Sequence, residues 1–160
     1  MTSDSDDPLS RLFADHRTRK EQESQLAQQQ AATHEAHKSN CRKSLRQRVV
    51  PLLTQFVSRI ESEGHEAKVV ERLEGSWTYP SVGIEFTPKS SVPGSNIVSP
   101  SQLTFMCAEG GFIEVKHEIR AGGRAHGPTG PGRSLAMDKI TNEFVQEQVL
   151  SFIQQVLSLV

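Results

Sequence analysis

The sequence predicts an α+β domain built on a four-stranded antiparallel meander, with an N-terminal and a C-terminal amphipathic helix on one face of the sheet. Three observations carry this. The segment Gln102 to Ile119 alternates apolar and polar residues on either side of Glu109-Gly110-Gly111, the pattern of a hairpin with one buried face. Leu45, Val49, Leu52, Leu53, Phe56 and Ile60 recur at spacings of three and four, and so do the apolar residues from Ile140 to Val160, giving a helical stripe before and after the strands. Tight or moderate connections between the strands favour pairing of neighbours in sequence, and an antiparallel sheet with one apolar face needs both helices there.

The hairpin also fixes its own register. With Glu109, Gly110 and Gly111 all in the loop, Ala108 faces Phe112, and Cys107–Ile113, Phe105–Val115 and Leu103–His117 share one face. A two-residue turn at Gly110–Gly111 would set Cys107 against Glu114 and Phe105 against Lys116. Slipping by one residue reverses a strand's faces, so the three-residue loop with a left-handed glycine is preferred. Leu103, Phe105, Cys107, Ile113 and Val115 then belong to the core.

Elsewhere the elements follow in order. Met1 to Asp7 is short, polar and terminal. Pro8 to Phe13 is a small apolar cluster, read as a helix start or, more sharply, as an anchor for a partner's groove. Ala14 to Ser44 holds good helix formers but only one large apolar residue, Leu26, so it reads as a solvated, partly helical extension without a coiled-coil heptad. The expected organisation is therefore an extension, residues 1–44, and an α+β domain, residues 45–160. Pro51 interrupts the first amphipathic helix, giving a kink or a fresh start, and Gly64 ends it. Ala67 to Leu73 and the run Val82, Ile84, Phe86 supply the first two strands around a turn, Gly75 to Pro80. Lys89 to Pro100 and Arg120 to Met137 read as loops. Asp138 is a plausible cap for the last helix.

Composition narrows the function classes. A formal net charge of -1 supplies no global field for nucleic acid or an anionic membrane. No apolar run approaches the ~20 residues that span a bilayer, and the opening residues do not resemble a secretory signal. Cys41 and Cys107 lie far apart in sequence, which suggests free thiols in a reducing compartment, hence a cytoplasmic setting.

Four constellations are candidates for chemistry. Gly127-Pro128-Thr129-Gly130-Pro131-Gly132-Arg133-Ser134 has the spacing of a phosphate-binding loop, but Arg133 replaces the lysine and two prolines remove backbone donors, so it reads as a loop. His34, His37 and Cys41 could share a helix face as metal ligands but lack a fourth, so no metal or other cofactor is expected. Cys107 and His117 share the inward face at opposite ends of the hairpin, over ~10 Å apart at the rise of a strand, too far for a nucleophilic pair; His117 is expected to be satisfied by a backbone group. Arg42, Lys43, Arg46 and Arg48 form a basic cluster with little aromatic interleaving, a solvated face in the first instance.

Without a convergent acid–base or metal set, the sequence points away from an enzyme. The expectation is a cytoplasmic protein-interaction module, adaptor or chaperone-like, binding a protein or a second copy through its N-terminal arm, a sheet edge or the aromatic turn at Trp77 and Tyr79. The alternative is sequence-independent nucleic-acid or anion binding by the cluster from Arg42 to Arg48.

Overall fold

A computed structural model of the chain describes residues 7–74, 79–89, 100–121, 124–126 and 133–158. The chain divides into two compact units, Met1–Ala36 and His37–Val160.

Helix α1 is Pro8–Ser44. Asp7 caps it: its carboxylate accepts from the Leu9 N–H at 3.3 Å and from the Ser10 hydroxyl at 3.4 Å. Pro8 follows in the first turn, where a missing N–H is harmless. Intrinsic propensity is what the first unit has to offer, because every described residue from Asp7 to Thr33 is exposed.

In the second unit, Leu45–Val49 forms a π-helical turn and α2 (Val50–Ser62) starts directly after it. Pro51 sits in the first turn of α2. Its ring would crowd the carbonyl four residues back in an uninterrupted α-helix, and the wider turn makes room for it. Leu45, Val49 and Leu53 are all fully buried across the junction. Gly64, at φ +88°, ends α2; its N–H donates to the Glu61 carbonyl and the His65 N–H to that of Ile60, a Schellman closure.

The strands are β1 (Glu66–Arg72), β2 (Ser81–Thr87), β3 (Ser101–Ala108), β4 (Phe112–Ala121), β5 (Arg124–His126) and β6 (Arg133–Ala136). The first four form the antiparallel meander, each paired with its neighbour. In the β3–β4 hairpin Ala108 pairs with Phe112, Cys107 with Ile113, Phe105 with Val115 and Leu103 with His117, the register that side-chain patterning dictates. Gly110 and Gly111 both adopt positive φ, which explains why the loop needs them.

Four strands are too few, however. Two short strands lie inside the segment from Arg120 to Met137 that reads as a loop. Both pair with the far side of β4, β6 along Phe112 to Val115 and β5 along Ile119 to Ala121, so they divide that edge between them. After a short turn at Met137–Lys139, α3 (Asn142–Leu157) closes the domain, with Thr141 as its cap: the hydroxyl accepts from the Phe144 N–H at 3.1 Å.

One core joins these elements, built from the inward faces of β2, β3 and β4 with Leu45, Val49, Leu53, Val145, Val149, Phe152 and Val156. Phe152 is its hub, edge-on to both Phe86 and His117.

A second expectation is corrected here. Cys41 and Cys107 are not free thiols. They form a disulfide between the last turn of α1 and β3, with Cα atoms 6.1 Å apart and both residues buried. Among the described residues no helix is long and apolar enough to cross a membrane.

Candidate interaction surfaces

The first surface is the helix of the Met1–Ala36 unit. A polar helix exposes few large apolar groups, yet this one exposes Leu9 (56%), Leu12 (65%), Phe13 (55%) and Leu26 (55%). Positions 9, 12 and 13 are spaced by three and four, so they lie on one side of the helix, the arrangement of an amphipathic ligand for a groove.

The second is the edge of the sheet. Among the described residues β1 pairs only with β2, while the opposite side of the sheet is taken up by β5 and β6 on β4. Beside the start of β1 lies an open trough of about 650 Å³ lined by Glu61, His65, Glu66, Lys68, Glu85 and Thr87, among others. Its wall is organised by hydrogen bonds. His65 Nδ1 accepts from the Lys89 N–H at 2.9 Å, Lys68 reaches Glu85 at 3.2 Å, and Gln102 donates to Glu85 at 3.0 Å.

The basic cluster is less available than its sequence suggests. Arg46 is ion-paired with Glu74, and Arg42 is half-buried with its Nε enclosed and unbonded. Lys43 and Arg48 are exposed. Leu45 and Val49 face the core, so the four basic residues are strung along a helix whose other side packs.

Of the aromatic turn, Trp77 lies outside the described residues. Tyr79 is exposed and donates its hydroxyl to Glu109 Oε1 at 3.2 Å, tying the β1–β2 connection to the β3–β4 loop. The Glu109 charge, reinforced by this hydrogen bond, raises the phenol above its ordinary pKa, because ionising it would set two anions side by side. Tyr79 is the only tyrosine, so an absorbance titration reads it directly. We expect Glu109→Gln to bring the alkaline midpoint down toward the ordinary value; an unchanged midpoint would show the contact is not made.

The disulfide consumes both cysteines, so Cys41 is not a thiol ligand beside His34 and His37, nor Cys107 a thiol partner for His117. Among the described residues no group of three metal-ligating side chains converges. Gly127–Gly132 lies outside the described residues, but Arg133 and Ser134 belong to β6 and pair with Val115 and Glu114, so no helix N-terminus begins there. His117 is satisfied by side chains and not by backbone: Nε2 lies 3.1 Å from Gln148 Oε1 and Nδ1 3.4 Å from Gln155 Oε1. An amide offers both a donor and an acceptor, so these two can serve either tautomer of the ring. Gln148 is buried within the apolar stripe of α3, between Val145 and Phe152. A glutamine at such a position is the signal for a buried polar partner.

No known family model, curated protein or solved structure matches this chain.

Proposed function

We propose that this chain is a non-enzymatic protein-interaction module, adaptor or chaperone-like, that presents its N-terminal helix to a groove on a partner protein. The observation that carries the reading is the exposure of Leu9, Leu12 and Phe13 on one side of a helix whose residues from Pro8 to Thr33 are all exposed. Apolar anchors at such spacing gain their free energy only when a partner covers them. Nucleic-acid binding by the Arg42 to Arg48 cluster has less support, since Arg46 is already engaged by Glu74.

The cytoplasmic setting expected from free thiols loses that ground. A buried Cys41–Cys107 bond favours an oxidising compartment, where such bonds persist.

The test is cross-linked capture with the full chain and with Leu12→Asp/Phe13→Asp. Both positions are exposed, so the variant should keep its helix content and melting temperature. A partner held by the parent should be lost by the variant, weakened by about tenfold or more, as for anchor residues elsewhere. If the same proteins remain bound to the variant, or none is specifically retained by the parent, the reading fails.

A further inference from the structure

Helix α3 buries one side against the sheet and leaves two large apolar side chains outside, Leu150 (59% exposed) and Leu157 (45%). Glu143, Glu147, Leu150, Gln154 and Leu157 are all exposed and recur at spacings of four and three, so they form one face. That face is acidic toward the N-terminal end of α3 and apolar toward its C-terminal end, and α3 holds no basic residue to balance the two carboxylates. On the N-terminal helix, Leu9, Phe13, His16 and Lys20 form an exposed face of the opposite charge, apolar first and basic after. We propose that residues 9–20 of one copy dock antiparallel on the outer face of α3 of a second copy. This rests on the interaction role proposed above and names its partner, a second copy of this chain, and the surface that receives the helix.

Spacing and charge together select the register. Both helices rise by about 1.5 Å per residue, so in an antiparallel pair the residue numbers run in opposite directions at the same rate. The intervals along Leu9, Phe13, His16 and Lys20 are four, three and four. Those along Gln154, Leu150, Glu147 and Glu143 are the same. Laid together, Phe13 meets Leu150, His16 meets Glu147 and Lys20 meets Glu143, while Leu9 lies between Gln154 and Leu157. A shift of one heptad sets Lys20 against Leu150 in one direction and Phe13 against Glu143 in the other. Parallel docking sets Leu9 and Phe13 against the two carboxylates. Each of these alternatives covers a charge with an apolar group, which is unfavourable.

The charges are also available. Among the described residues, Lys20, Glu143 and Glu147 enter no ion pair. The apolar contacts supply attraction, and the charges reject the wrong direction and the wrong register, so a second copy is selected as well as held.

Sedimentation and light scattering on the full chain, at low and at physiological salt, test the docking. The parent is expected to self-associate at concentrations up to ~100 μM, since about three turns of helix make a small contact, and to do so more weakly as salt rises. A dimer that exchanges helices and a longer chain of copies both satisfy the proposal. Leu150→Asp/Leu157→Asp, Glu143→Lys/Glu147→Lys and His16→Glu/Lys20→Glu should each weaken association about tenfold or more. All six positions are exposed, so helix content and melting temperature should stay near the parent's. Combining the last two variants in one chain restores both opposed pairs and should restore association, which a general loss of stability would not. The proposal is overturned by a monomeric parent, by α3 variants that associate like the parent, or by failure of the combined variant to recover. A monomeric parent that still retains a different protein through Leu12 and Phe13 sinks this proposal and leaves the interaction role standing, so the two failures are distinguishable.

Discussion

Gly83→Ala is expected to destabilise the domain by about 3 kcal/mol, enough to move the urea midpoint well clear of the parent's. Gly83 is buried in β2 between β1 and β3, paired with Val70 and Thr104. A methyl group placed on its Cα would penetrate the backbone carbonyl oxygen of Leu103 and press on the Thr104 Cα. Neither is the end of a flexible side chain. Relief requires β2 and β3 to move apart, and that disturbs the ladder carrying Val82, Ile84, Leu103 and Phe105, all of them core residues. The usual benefit of replacing glycine, a less flexible unfolded chain worth under ~1 kcal/mol, is too small to compensate. Equal midpoints for the parent and Gly83→Ala in equilibrium unfolding would show that the two strands can yield.

Removing the disulfide should have the larger effect. Its cysteines are 66 residues apart. Closing a loop of that length removes chain entropy from the unfolded state worth about 4 kcal/mol in the loop-closure description. Unfolding in guanidinium with and without a dithiol reductant, and of Cys41→Ala/Cys107→Ala, is expected to show that loss, together with a fall of roughly 10 °C in melting temperature. Both cysteines are buried, so reduction of the folded protein should be slow and should accelerate once denaturant opens the core. Identical unfolding curves under oxidising and reducing conditions would rule the bond out as a stabilising element.

What was readable in advance depended on how local each signal is. The β3–β4 register follows from alternation within eighteen residues and from two glycines whose positive φ no other residue adopts as easily. The stripes of α2 and α3, and the stop at Gly64, are equally local. The strands β5 and β6 were missed because three and four residues are too short to show alternation, and their pairing comes entirely from the far side of β4. The disulfide was missed for a related reason. Nothing near Cys41 or Cys107 in sequence announces the other, and only packing of the last turn of α1 against β3 brings them together. The environment of His117 lay between these cases: Gln148 on an otherwise apolar stripe advertised a polar partner, though not which one. Of the candidate surface, the apolar residues near Pro8 and the aromatic turn were visible as residue types. That Arg46 is committed to Glu74, and that β1 pairs only with β2 among the described residues, required the fold.

The bond between Cys41 and Cys107 also changes what kind of object the polypeptide is. With it closed, residues 41–107, which hold α2, β1, β2 and nearly all of β3, lie on a covalent ring, and two tails leave that ring, one toward the N-terminus and one running through β4 to α3. A single peptide-bond cleavage anywhere on the ring severs no part of the molecule from the rest. Cleavage in either tail releases a fragment. A protease that opens the connection between β2 and β3 would therefore leave one molecule of almost unchanged mass, separable into two pieces only after reduction.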